Sequence, residues 1–184
     1  SFKRRRLLLN TLGGFTLGIL GTHTVNASPS KKRSLSWKQL PTFIDLLQEK
    51  SLQNDTIVET LGYHQIGDLG GARYKIINLQ NAHEHPFAIS LPNNQHAILL
   101  HEGFVNYAMF GAYSNGKEDD GVCILKAHDY ANTYNLPVVN PSGEYWIQST
   151  RSIPIKTNTH WGASIFHLNE QFNTPKQTNF EILS

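Results

Sequence analysis

The spacing of apolar positions changes along the chain, and each change predicts a different kind of element. Residues 7–25 are mostly apolar, diluted by Asn10, Gly13, Gly14, Gly18 and Gly21, and a polar stretch follows them. Over residues 41–50, Phe43, Ile44, Leu46 and Leu47 form the stripe of a short helix, with Pro41 suited to a first helical position. From Thr56 onward the period shortens. Residues 56–60 alternate, 72–79 carry Tyr74, Ile76, Ile77 and Leu79, and the runs 87–91 and 97–100 flank the turn Pro92-Asn93-Asn94. Such runs, rich in β-branched residues and bounded by Gly, Pro and Asn, predict strands. One helical pattern interrupts them over 122–132: Val122, Cys123, Ile124, Leu125, Ala127, Tyr130 and Ala131, with Asp119-Asp120 placed to cap its start. Residues 137–139, 145–147, 153–155 and 163–168 then read as strands again, the first two separated by the turn Asn140-Pro141-Ser142-Gly143.

Short strands at regular intervals predict an all-β domain built as a sandwich, a barrel or a β-solenoid. The chain divides into a leader, 1–27, a linker with a short helix, 28–55, and a strand-rich domain, 56–184. Its 184 residues suit one domain, and 39% hydrophobic against 16% charged residues fits a folded chain. The formal charge of +2 comes from 16 basic and 14 acidic side chains, but Lys3, Arg4, Arg5 and Arg6 all lie in the leader. The remainder is near −2, which argues against nucleic acid as a partner. Lys31, Lys32, Arg33 and Lys38 read as a solvated linker. With Cys123 as the only cysteine, no intrachain disulfide forms, and packing alone must hold the fold.

The leader carries its own signature. Lys3 to Arg6 form a charged head, the apolar stretch follows, and Val25-Asn26-Ala27 places small residues where a signal peptidase cuts, after Ala27. Arg4, Arg5, a variable residue, then Leu7 and Leu8 resemble the twin-arginine consensus, and the glycine-diluted core suits that route. The expectation is a folded protein handed to the twin-arginine export machinery of a bacterium, released to the periplasm or beyond. The competing reading, an uncleaved anchor of about 18 apolar residues, is weakened by the glycines, asparagine and threonines. The start at Ser1 and the absence of a terminal element at Ser184 read as a fragment of a longer protein.

The order of motifs is informative. Gly62-Tyr63, Asp68-Leu69-Gly70-Gly71-Ala72-Arg73-Tyr74, Phe110-Gly111-Ala112, Asn115-Gly116, Asp119-Asp120, an Ala-containing helix and Pro141-Ser142-Gly143-Glu144-Tyr145 follow one another. Over about residues 56–168 this resembles the N-terminal portion of the pectate lyase superfamily, with departures at Gly121 and Asn115. The resemblance implies a right-handed parallel β-helix, a solenoid with an N-terminal capping helix. It also implies a polysaccharide partner and one of two chemistries: β-elimination by a lyase, often with Ca²⁺, or hydrolysis by paired carboxylates. In that family the reacting groups lie on later coils, so no catalytic residue is assigned, and the cofactor stays open. A solenoid exposes an apolar end that something must cover. The helix over 122–132 is the candidate lid, which makes Asp119 and Asp120 structural caps rather than an acid pair.

Other constellations carry less. His83-Glu84-His85, with His64, His96 and His101 nearby, matches no zinc spacing, and Pro86 marks a turn. Gly67-Asp68-Leu69-Gly70-Gly71 is followed by a strand rather than the helix a phosphate loop needs. Ser164 lacks the second glycine of a nucleophile elbow. Tyr63, Tyr74, Tyr107, Tyr113, Tyr145, Trp146 and Trp161 offer ring faces to sugars, and core packing explains them equally well. The competing function is therefore a non-catalytic glycan-binding or adhesion β-helix. A phage tailspike is disfavoured, because a virion protein has no use for an export leader.

Overall fold

Within the stretch read as a linker, Trp37–Leu40 forms a strand, β1, and the helix that follows is set by Thr42 rather than Pro41. Thr42 Oγ1 accepts from the Asp45 amide at 3.2 Å while Asp45 accepts from the Thr42 amide at 3.0 Å, a reciprocal capping box that opens α1, Phe43–Gln48. This computed structural model describes residues 35–148, 152–169 and 180–182, all within one compact unit. Arg4, Arg5, Leu7, Leu8 and Ala27 of the export signature lie outside the described residues. Among the described residues no helix is long and apolar enough to cross a membrane.

The first half is a five-stranded sheet. It comprises β1, β2 (Ile57–Thr60), β3 (Arg73–Asn78), β4 (Ile89–Leu91) and β5 (Gln95–Leu100), in the order β1-β2-β3-β5-β4, with a helical turn α2 (Leu79–Ala82) after β3. β1 and β2 are parallel and the other neighbours antiparallel. Alternation decides the faces. Val58, Tyr74, Ile76, Ala97 and Leu99 turn inward onto Phe43 and Leu46 of α1, while Arg73 reaches outward to Glu59 and Glu102. These exposed ion pairs contribute little stability; the buried face holds the sheet.

The second half changes pairing. It runs β6 (Asn115–Asp119), α3 (Gly121–Tyr134), β7 (Val138–Val139), β8 (Ser142–Ile147), β9 (Ile153–Ile155), β10 (Thr159–His160), β11 (Ala163–Leu168) and β12 (Phe180–Ile182). Every pairing here is parallel: β10 on β7, β11 on β8 on β6, and β12 on β9. Three successive short strands are thus overlaid, one by one, by the next three. The sheets stay small and open. Tyr145, Ile147, Ile153 and Ile155 fill the space beneath. At the corner, Gly162 adopts φ +55°, and a Cβ there would sit 2.2 Å from the Pro141 carbonyl oxygen, so only glycine lets the second layer turn directly over the first. β6 was not legible in the pattern because Asn115 to Asp119 contains no apolar residue; it is a strand because β8 pairs with it. The helix expected over 122–132 is α3. Its buried face is Ile124, Ala127, His128, Tyr130 and Ala131, and it ends on Asn135 in the left-handed conformation, φ 53°.

One polar string crosses this core. Tyr107 is fully buried, its amide donates to Asn140 Oδ1 at 3.0 Å, and its ring stands edge-on to Tyr145. Trp161 Nε1, which can only donate, gives its proton to Tyr107 Oη at 2.9 Å. The phenol is also hydrogen-bonded to His128 Nε2, at 3.0 Å. Burial lowers the His128 pKa from 6.5 to about 4, so the ring is neutral in the folded state. The unfolded chain therefore binds a proton that the folded chain refuses, and the stability contributed is complete above about pH 6.5 and lost as pH falls toward 4. At 1.36 kcal/mol per unit this amounts to roughly 3 kcal/mol. We expect thermal melts to show that acid-side loss in the native chain and a flatter profile for His128→Gln, which keeps an acceptor for Tyr107 but does not titrate. Equal pH profiles would refute it.

Candidate functional site

The paired aspartates are the obvious acids, and both are committed to backbone. Asp120 is completely buried at the N-cap position of α3, yet its carboxylate makes no bond to that helix. It turns back instead and accepts from the Tyr113 amide at 2.6 Å and the Ser114 amide at 3.3 Å. Burial pushes its carboxyl above the usual range, an effect that these two amides oppose. Asp119 Oδ1 accepts from the amide of Gly121, first residue of α3, at 3.0 Å, and from that of Gln148 at 3.1 Å. Together the pair fixes the start of α3, the turn before β6 and the end of β8. Neither carboxylate of the pair has the open surroundings of a reacting group.

Asp68 plays the same kind of part in the glycine-rich segment. It accepts from the amides of Tyr63, His64, Gln65 and Gly70 at 2.7 to 3.1 Å. Burial works against ionisation there, but the four amides hold its carboxyl below the ordinary range. The segment is an aspartate-centred turn. His83 and Glu84 lie on the exposed turn after α2, 3.9 Å apart. Ser164 Oγ donates to the Trp161 carbonyl. Cys123 is half-buried on α3, and burial raises its thiol pKa. Among the described residues no three His, Cys, Asp or Glu side chains gather to hold a metal.

The open chemistry lies on the outer face of the parallel strands. Pairing aligns Asn115, Glu144 and Ile165 in one row, and Asp119, Trp146 and His167 in the next. Glu144 Oε1 and His167 Nε2 are 2.7 Å apart, with the carboxylate accepting from the ring when that nitrogen carries the proton. Both are well exposed, at 52% and 39% of their side chains. The Trp146 indole lies beside the imidazole, ring centroids 6.1 Å apart and tilted by 34°. Gly116 makes this arrangement fit. It sits at φ +70°, and a Cβ there would meet Glu144 Cγ and Cδ at 2.8 Å. A partly exposed indole, a carboxylate and an imidazole side by side can stack on a sugar ring, bind its hydroxyls and exchange a proton with them.

Trp146 stood among the aromatics noted in the sequence, whereas Glu144 and His167 did not stand out as a pair. The signal was present in the matched alternation of Glu144-Tyr145-Trp146 and Ile165-Phe166-His167, with the aromatics Tyr145 and Phe166 at the same inward position and Glu144 and His167 at outward ones. Finding it requires knowing that the two strands stack in parallel.

No family model matches the chain, and no curated protein matches it. Solved structures do. One is Pantoea stewartii WceF, a glycan biofilm modifying enzyme with a bacteriophage tailspike-like parallel β-helix fold, with a TM-score of 0.53 and 16% identity over 72% of this chain. Another is the enzymatically active domain of bacteriophage CBA120 tailspike protein 2, with a TM-score of 0.51 and 15% identity over 78% of this chain. The chain spans 22% and 21% of those two proteins, about a fifth of their length. At these identities the likeness is one of fold: this strand-rich chain shares its architecture with part of parallel β-helix proteins.

The structural role of Asp120 is open to direct measurement. Asp120→Ala leaves two backbone amides in the interior without an acceptor and is expected to lower unfolding free energy by about 2–4 kcal/mol, read from chemical denaturation. A change below 0.5 kcal/mol, about that of an ordinary surface substitution, would place the carboxylate outside the fold's support.

Proposed function

We propose that this chain belongs to an exported, carbohydrate-active protein whose parallel strands continue as a right-handed β-helix of the pectate-lyase-like type, and that Trp146, Glu144 and His167 are part of its polysaccharide contact. The observation that carries this reading is the partly exposed indole beside a carboxylate–imidazole pair on one face of a parallel sheet. The fold likeness supports it, since WceF is described as a glycan-modifying enzyme and the phage domain as enzymatically active. The twin-arginine leader favours a bacterial exported protein over a virion component. Whether the whole protein is a lyase or a hydrolase depends on residues beyond this segment; the described ones supply recognition. Asp119 shares the outer face with Glu144 but is held by two backbone amides, so a hydrolytic carboxylate pair is not assembled here. That observation favours, as second reading, a glycan-binding protein without catalysis.

The complete mature protein, incubated with a panel of acidic and neutral polysaccharides, separates these readings. Unsaturated products absorbing in the ultraviolet identify a lyase, new reducing ends without that absorbance a hydrolase, and binding without product an adhesin. In each case Trp146→Ala is expected to weaken binding about tenfold, the worth of one lost ring contact of roughly 1.4 kcal/mol. Unaltered binding would remove the outer face from the reading. Export has its own check. Residues 1–27, fused to a folded fluorescent reporter, should deliver it to the periplasm, and Arg4→Lys with Arg5→Lys should strand it in the cytoplasm. Delivery that survives both changes would rule out the twin-arginine route.

A further inference from the structure

Away from the outer face, a cleft of about 390 Å³ opens between α1, the inner face of the five-stranded sheet and α3. That volume lies at the small end of ligand pockets, about 300–1,000 Å³, and suits one or two rings. Its walls are aromatic. Phe43 stacks on Tyr63 at 4.5 Å, and Phe110 packs against Tyr130 at 5.5 Å. Two features set it apart from a packing defect. Tyr74, which lines it, is only 1% exposed, and its hydroxyl has no hydrogen-bond partner among the described residues, whereas the neighbouring Tyr130 hydroxyl donates to the Leu99 carbonyl at 3.2 Å. A hydroxyl that makes no hydrogen bond within the protein and faces a cleft is free to bond a ligand oxygen. The second feature is charge: exposed Lys126 lines the same cleft, no acidic side chain does, and Lys126 has no ion-pair partner among the described residues.

We propose that this cleft is a second carbohydrate site, which takes one carboxylated hexose unit: ring faces against the aromatic walls, an oxygen on the Tyr74 hydroxyl and the carboxylate on Lys126. Apolar walls alone would select any greasy molecule. The phenol calls for a polar ring edge, and the ammonium calls for an acid. The proposal rests on the carbohydrate reading above for its ligand class but shares no residue with the outer face, so the two can fail separately.

The test is saturation-transfer NMR on the full chain with sodium glucuronate, methyl glucoside and sodium benzoate as probes. Glucuronate should bind saturably and at least about fivefold tighter than the neutral glucoside. Lys126→Met, an exposed change that leaves the fold intact, and Tyr74→Phe, which removes only the unpaired oxygen, should each weaken glucuronate about tenfold. Trp146→Ala should leave glucuronate binding unchanged. Tyr74→Phe should also melt no lower than the native chain, because the hydroxyl it deletes makes no hydrogen bond to the described residues. Absence of saturable glucuronate binding, equal binding by Lys126→Met, or binding of benzoate in place of glucuronate would each overturn the proposal.

Discussion

A phenol placed in the middle of a protein must dispose of its hydroxyl, and here the disposal of one such group joins three parts of the chain that are far apart in sequence. Tyr107 precedes β6, His128 belongs to α3, and Trp161 lies at the corner between β10 and β11. The indole and the imidazole each reach the other only through the phenol, so the three side chains form one string across the core. Parallel strands contribute no tight hairpin to set their register locally, and such a cross-link between layers supplies part of what hairpins supply elsewhere. The antiparallel sheet has no need of one, since β3 and β5 pair over six residues.

The two halves differ in how openly the sequence displays them. Strands that bury one face against α1 alternate clearly, as in Arg73 to Asn78, and α3 announces itself through Ile124, Ala127 and Ala131. β1 buries only Leu40, and β6 consists of Asn, Gly, Lys, Glu and Asp; neither carries a period to read. Their conformation is imposed by neighbours, a tertiary effect that local pattern does not contain. The outer face was hidden for a related reason. Glu144 and His167 meet through |i−j| = 23, and only the register of stacked strands reveals which residues share a row.

Acidic residues beside glycines invite a catalytic reading, and this chain shows why that reading misleads. Asp68, Asp119 and Asp120 each collect backbone amides from turns. A carboxylate offers about four acceptor sites on a short stem, which suits it to organising tight, irregular corners between short strands. Glu144, by contrast, stands in the middle of a strand, where the backbone is already satisfied by its neighbours and the side chain is free to meet His167 on the outer face.

The parallel register of β6, β8 and β11 has one further consequence. Strands in such a sheet repeat about every 4.8 Å, and each is supplied by a different turn of the chain. A linear molecule lying across the strands would therefore be read step by step, one strand per step, rather than gripped as a whole. Exchange of Trp146 or Ile165 would edit a single step and leave the others legible. Preference for one repeating polymer over another could then drift by single substitutions, with the scaffold beneath unchanged.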